Sequence, residues 1–212
     1  MMKKWHLVST NRWNKIRYTA YAPGYDILGT IFSKSREKSI RELDIQKGDH
    51  VLIVGAGTGL DLEFIIQDCS ITATDITPAM IARTLKKNDQ YNRNLSALVM
   101  DGQQLSFQDN SFDKIILHLI LAVIPDPVVC LKECERVLKH GGSIAIFDKF
   151  VPQGNKVSLL RKLLNPVTNL LFSNITRSIA TIAGKTKLIT VSDTKADFNG
   201  NFRIIRLKKK EI

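Results

Sequence analysis

Three glycines at alternate positions, Gly55, Gly57 and Gly59, follow directly on the branched aliphatic run Val51-Leu52-Ile53-Val54. A second run, Ile71-Thr72-Ala73-Thr74, ends in Asp75, twenty residues after Gly55. Closely spaced glycines let a backbone turn sharply and approach a ligand. A carboxylate about twenty positions beyond such a loop is placed to accept hydrogen bonds from ribose hydroxyls. The chemistry these residues suit is binding of a nucleoside-containing cofactor. Leu60 stands where the dinucleotide pattern has its third glycine. Close helix–strand packing under a pyrophosphate is therefore less well provided, and a cofactor without phosphate needs only the close backbone approach.

The elements that must position these residues alternate. Val51–Val54 predicts a strand buried on both faces. Further strands are expected at 71–75, 95–100, 114–120 and 143–147, the 114–120 run being apolar enough to be central. Helices are expected at 35–43, 60–66, 78–87 and 128–139. Thr77 is the expected N-cap of the third, with Pro78 at its first position. His140-Gly141-Gly142 should end the fourth. This alternation predicts an α/β, Rossmann-like, doubly wound sheet with right-handed crossovers and helices on both faces. Beyond Phe150 the rhythm changes. A leucine-rich stretch at 157–172 is divided by Pro166, a helix is expected at 175–183, and 187–192 with 202–207 should form an antiparallel hairpin. That hairpin completes a mostly parallel sheet of about seven strands. One domain of 212 residues is expected. It comprises an N-terminal helical cap (1–45), a cofactor-binding core (46–150), a substrate lid or membrane-facing segment (151–185) and the hairpin (186–212).

The charge is segregated. The chain carries a net charge of +11, with +5 over residues 1–50, −3 over 51–150 and +9 over 151–212. Basic flanks around a slightly acidic core suit an anionic partner: a membrane surface, a nucleic acid or a phosphorylated substrate. Residues 3–21 interleave Trp5, Trp13, Tyr18 and Tyr21 with Lys3, Lys4, Arg12, Lys15 and Arg17. Such a segment is either an interfacial helix lying among headgroups or a helix packed on the domain through its aromatic residues. No apolar run is long enough to span a bilayer, and the basic start is not followed by the features of a signal peptide. Cys69, Cys130 and Cys134 lack paired spacing and read as small buried hydrophobes, in keeping with a reducing cytoplasm. No cluster of His, Cys and acidic residues suggests a metal.

The series Val51 to Gly59, Ile71 to Asp75, Met100-Asp101-Gly102, Phe112-Asp113 to His118, and Glu135 to Gly142 resembles the class I S-adenosylmethionine-dependent methyltransferases. Within them, Tyr18-Thr19-Ala20-Tyr21-Ala22-Pro23-Gly24-Tyr25-Asp26 resembles a stretch of two groups: soluble bacterial phosphatidylethanolamine N-methyltransferases and ubiquinone/menaquinone-type methyltransferases. Ala122-Val123-Ile124-Pro125-Asp126-Pro127 leans towards the phospholipid group, whereas Asp148-Lys149-Phe150 departs from its usual triplet. The resemblance implies that Gly55, Ala56, Gly57 and Gly59 pass close to the amino-acid and ribose parts of S-adenosylmethionine. Asp75 takes the ribose hydroxyls, and Ile76 and Met80 pack near the adenine. Asp101 meets the adenine amino group, with Gly102 and Gln103 beside it. His118 and Leu119 form the floor of the transfer site, and Tyr21 and Tyr25 close over the cofactor. Tyr25 and His118 are the residues implied in catalysis, His118 as proton acceptor.

The implied reaction is transfer of a methyl group from S-adenosylmethionine, with S-adenosylhomocysteine as product, to the headgroup nitrogen of phosphatidylethanolamine. The expected setting is the inner face of the membrane, held peripherally from the cytoplasm by anionic lipid. Two alternatives stand beside it: C- or O-methylation of a quinone precursor or other small hydrophobic molecule, and a non-catalytic, cofactor-binding, membrane-associated module. Nucleic acid is not favoured, because the stretch Leu117-His118-Leu119-Ile120 is not the tetrapeptide of a base amino-methylase. No obligate protein partner is evident.

Overall fold

A computed structural model describes residues 10–21, 29–66, 68–151, 159–171 and 173–211. Tyr25, the Ala22-Pro23-Gly24 break and the first nine residues, including Trp5, lie outside them. Seven strands form one sheet in the order β3-β2-β1-β4-β5-β7-β6. β1 is His50–Val54, β2 Ser70–Asp75, β3 Asn94–Val99, β4 Phe112–His118 and β5 Leu138–Lys149. These five run parallel. β6 (Ile189–Lys195) and β7 (Phe202–Lys208) close the sheet as the expected antiparallel hairpin. The fold class anticipated from the alternating pattern is the one observed.

The strand order reverses between β1 and β4, so both chain directions of the crossover diverge from the C-terminal end of β1. A crevice opens there in folds of this kind. Helices cover both faces. On one face, α2 (Ser33–Leu43) buries Ile40 and Leu43 against Val51, Ile53, Ile71 and Ile116. On the other, α4 (Pro127–Val137) buries Cys130, Leu131, Cys134 and Val137 against Leu52, Ile115, Leu117 and Ile144. The three thiols are free and buried, which is the hydrophobic use expected of them. Between these two helices in sequence lies α3 (Pro78–Tyr91), with Thr77 at the N-cap position and Pro78 at N1. The remaining helices are α1 (Asn11–Tyr21), α5 (Leu159–Leu171), α6 (Ile179–Ala183) and the short α7 (Asp197–Gly200).

Four expectations need correction. The turn after the glycines is a five-residue 3-10 helix, Leu60–Phe64, not a helix to Ile66, because Ile65 turns extended and buries its side chain in the α2-side core. α4 ends at Val137 and strand pairing begins at once. His140-Gly141-Gly142 sits inside β5 as an irregularity, where Phe112 pairs with Leu138 and Lys114 with Ser143. α5 runs through Pro166. The carbonyl that its ring deprives of a partner belongs to Lys162, an exposed residue beside which water can bond. Lastly, the helix expected over 175–183 forms only from Ile179. The preceding backbone is bonded elsewhere: Asn174 N–H donates to the Ala122 carbonyl at 2.7 Å, and Val151 N–H to that of Arg177 at 2.9 Å.

Candidate active site

A cavity of about 630 Å³, its mouth included, opens at the C-terminal ends of β1, β2 and β4. Gly55 and Gly57 line one side, Asp75 and Ile76 the next, then Met80, Met100 and Gly102, with His118, Leu119 and Ile120 across from them. Gly55 and Gly57 have φ of +73° and +58°, which side-chain-bearing residues adopt only at a cost. A Cβ on Gly55 would also stand 2.8 Å from Ile120 Cδ1. The loop is thus held open by the absence of side chains.

Asp75 organises this end. Its Oδ2 accepts the Gly57 N–H at 3.0 Å and its Oδ1 the Thr77 N–H at 2.8 Å. One carboxylate thereby fixes both the glycine loop and the start of α3. Burial raises its pKa, opposed by the two backbone donors. Each oxygen retains a lone pair for a further donor such as a ribose hydroxyl. Met80, Met100 and Ile124 supply the apolar wall that a purine ring needs. The residues present therefore fit a nucleoside whose sugar meets Asp75 and whose tail passes Gly55 and Gly57.

The structure brings together eight of the expected residues: Gly55, Gly57, Asp75, Ile76, Met80, Gly102, His118 and Leu119. The others stand back from the cavity. Ala56 points into the α2-side core. Gly59 closes a turn, its N–H donating to the Ala56 carbonyl at 3.0 Å. Asp101 accepts the side-chain amide of Asn11 and, at 2.9 Å, the Gln103 N–H. An adenine amino group would have to share that carboxylate with Asn11. Gln103 in turn accepts the Asp126 N–H at 2.9 Å. Tyr21 is set edge-on to Tyr18, ring centroids 6.0 Å apart, and it is Tyr18 that lines the cavity. Asn11 and Asn14 line it too, one helical face of α1 with Tyr18. The i, i+3, i+7 spacing of these residues was the available signal, hidden by the more conspicuous aromatic and basic residues around it.

His118 requires a correction. It lies at the floor of the cavity but is only 4% exposed. Nδ1 is 2.7 Å from Asp61 Oδ1 and Nε2 is 3.0 Å from Ser39 Oγ. With both ring nitrogens engaged inside the protein, it has none to offer an acceptor's proton. Asp61 also accepts from Arg36 at 2.8 Å. Burial would raise the Asp61 carboxyl, but Arg36 and His118 together hold it well below the usual carboxylate range. This buried Arg36–Asp61–His118–Ser39 network ties α2 and the 3-10 helix to the end of β4. The network positions the floor of the cavity, and nothing in the local spacing of its four residues signals it. Leu119, directly above, has φ +59°, a strained value for a branched residue next to the site.

The loop after β4 is clamped from the other half of the molecule. Asp148 Oδ2 accepts the Ala122 N–H at 2.8 Å. Arg177 donates to the carbonyls of Leu121 and, at 3.2 Å, Pro125. Asp148 is completely buried, and burial outweighs its two backbone donors and the nearby cations Lys149 and Arg177, pushing its pKa up to about 6. Among the described residues, no group of three or more His, Cys, Asp or Glu is arranged to hold a metal.

The methyltransferase-domain family matches residues 52–146, which contain the glycine loop, Asp75, Asp101 and His118. The chain is 25% identical over 189 residues to a phosphatidylethanolamine N-methyltransferase of Cereibacter sphaeroides, covering 88% of this chain and 93% of that one. It is 32% identical over 134 residues to a demethylmenaquinone methyltransferase of Corynebacterium glutamicum, covering 60% and 56%. The chain thus spans little more than half of that second relative. The solved structure of the YcgJ protein of Bacillus subtilis shares the fold, with a TM-score of 0.70 and 16% identity over 84% of this chain and 99% of that one. Taken with a cavity whose residues fit a nucleoside, the methyltransferase domain and the likeness to named methyltransferases support an S-adenosylmethionine-dependent methyltransferase.

Proposed function

We propose that the acceptor is the amino headgroup of phosphatidylethanolamine, methylated at the surface of an anionic membrane. The observation that carries this reading is the extent of the likeness to the Cereibacter relative, which runs through nearly the whole chain. The quinone relatives match about three fifths of it. Acceptor contacts in a doubly wound fold come largely from the flanks, so similarity there bears on the acceptor more than similarity in the core.

S-adenosylmethionine supplies an electrophilic methyl group on a sulfonium. Asp75 and the Gly55–Gly57 backbone would hold its nucleoside, and the apolar wall of Met80, Met100 and Ile124 would fix the base. The headgroup arrives as an ammonium and must lose a proton before it has a lone pair. With His118 bonded at both ring nitrogens, no described side chain of the floor is left to act as a dedicated base. Transfer into an apolar, water-poor site lowers the amine's own pKa, and the proton leaves to solvent. Alignment of nucleophile and methyl group then provides much of the acceleration.

The membrane side is α5 with α1. Leu163, Leu164 and Val167 are exposed on α5, Leu163 to 75%, beside the exposed Lys162. Arg12, Lys15 and Ile16 are exposed on α1. The two helices are joined where Arg17 donates to the Asn169 carbonyl at 3.1 Å. Apolar side chains ringed by cations suit insertion among anionic headgroups, at about 1 kcal/mol per well-placed cation. No described helix is long and apolar enough to cross the membrane.

Incubation with methyl-labelled cofactor and separate lipid, quinone and RNA fractions tests the reading. Label is expected in the phospholipid fraction. Label confined to the quinone fraction would replace it with C- or O-methylation, the reading supported by the Corynebacterium relative, and no uptake with intact cofactor binding would leave a non-catalytic module.

A further inference from the structure

Beside the cofactor cavity, the end of β5 carries a cation that the steps above do not use. Lys149 follows Phe147 on the α2 side of the sheet, and the Phe147 carbonyl accepts the N–H of Leu119 at 2.8 Å, at the cavity's edge. Its side chain is half-buried. The ammonium donates to Ser173 Oγ at 2.9 Å and lies 5.3 Å above the Phe202 ring. Among the described residues no carboxylate is bonded to it. The neighbouring Asp148 points to the opposite face of the strand, as alternation requires, and its oxygens are taken by Ala122 and by the Lys149 backbone N–H.

A desolvated ammonium held by one neutral hydroxyl and a ring face is incompletely compensated. Burial lowers its pKa against the pull of Asp148. An arriving anion would supply the missing charge. The surroundings add a second constraint. Phe32, Phe147, Phe198 and Phe202 form a ladder of rings next to Lys149, with centroid separations from 4.7 to 6.1 Å. Its outer member, Phe198, is 60% exposed and has φ +52°. An exposed phenyl on strained backbone at the end of an aromatic row is an apolar seat open to solvent.

We propose that Lys149 and Ser173 form the subsite for the phosphodiester of the acceptor, with the ring ladder ending at Phe198 receiving the start of its apolar chain. The site rests on the phospholipid reading above and deepens it: a cation next to the Leu119 turn selects an amine that carries a phosphate over one that does not. Lys149 and Ser173 are apart from the residues that line the cofactor cavity, so the two binding events separate in experiment.

The test uses the full chain and two acceptors in neutral detergent micelles: phosphatidylethanolamine, and a long-chain primary amine without phosphate. Lys149→Ala is expected to raise KM for the phospholipid on the order of tenfold or more, the loss of one charge-assisted hydrogen bond. Cofactor affinity by calorimetry and KM for the phosphate-free amine should stay at wild-type values. Lys149→Arg should restore most of the phospholipid affinity. Inorganic phosphate should compete with the phospholipid in the wild type and not in Lys149→Ala. An unchanged phospholipid KM in Lys149→Ala, equal weakening of both acceptors, or no competition by phosphate would each overturn the subsite while leaving N-methylation standing. A wild-type protein that methylates the phosphate-free amine and never the phospholipid would remove both.

Discussion

Two buried aspartates, one in each half of the molecule, behave in opposite ways. Asp61, in the cofactor half, meets Arg36 at 2.8 Å and His118 at 2.7 Å and is held ionised. Asp148, in the acceptor half, has Lys149 and Arg177 nearby, but those cations are bonded to Ser173 and to the carbonyls of Leu121 and Pro125. Its carboxyl is accordingly pushed up to about 6. The same burial gives a permanent ion pair where the cation touches the carboxylate, and a titratable group where it does not. The cofactor half is locked by paired charge. The proposed acceptor half leaves its cations on neutral partners, Ser173 and the carbonyls of Leu121 and Pro125.

Breaking the lock should have the largest effect. Asp61→Ala leaves Arg36 and His118 facing each other in a dry site and is expected to cost about 3–5 kcal/mol of stability, read as the shift in urea midpoint. A change under 1 kcal/mol would mean the network is not structural. Next in size, Asp75→Ala removes the anchor of the glycine loop and the proposed ribose contact. Cofactor affinity should fall on the order of a hundredfold or more, with binding to lipid vesicles unchanged. Near-native cofactor affinity would refute the role of Asp75.

The two carboxylates should also leave opposite marks on stability against pH. Asp61 has a depressed folded pKa, so its contribution is present above the unfolded value near 4 and is lost as pH falls below it. Asp148 has a raised folded pKa, so the folded state holds the extra proton between about pH 4 and 6 and stability declines as pH rises through that window. Relative to Asp148→Asn, the wild type should lose on the order of 2 kcal/mol between pH 4 and pH 7. A pH-independent difference would contradict the assignment. The smallest effect on folding is expected at the membrane face. Leu163→Ser with Val167→Ser should change stability by less than about 0.5 kcal/mol per site, yet weaken sedimentation with phosphatidylglycerol vesicles. The wild type should bind those vesicles and release at high salt. Binding indifferent to both the substitutions and salt would sink the docking face.

The two halves were also unequally legible in the sequence. The strand–loop–helix rhythm, the glycine loop and Asp75 are local signals, and the cavity they build is where their spacing placed it. His118 does line the cavity, but its engagement on both ring nitrogens was not legible, because the partners that occupy them are 57 and 79 residues away. Arg177 and Asp148 were similarly silent, since their bonds to the 121–125 loop depend on how α5 and α6 fold back. Pro166 misled for a related reason: its local preference for a break is overridden where the affected carbonyl faces water. Local grammar revealed the cofactor, whereas the acceptor side is assembled by tertiary contacts.

The most direct measurement is methyl transfer to a defined lipid. The protein is incubated with methyl-labelled S-adenosylmethionine and phosphatidylglycerol vesicles, with and without phosphatidylethanolamine, and the lipids are separated. Label in N-methylated phosphatidylethanolamine, abolished by Asp75→Ala, is the expected result. Cofactor binding with no label in that lipid, and label instead in an added quinone precursor, would contradict the account.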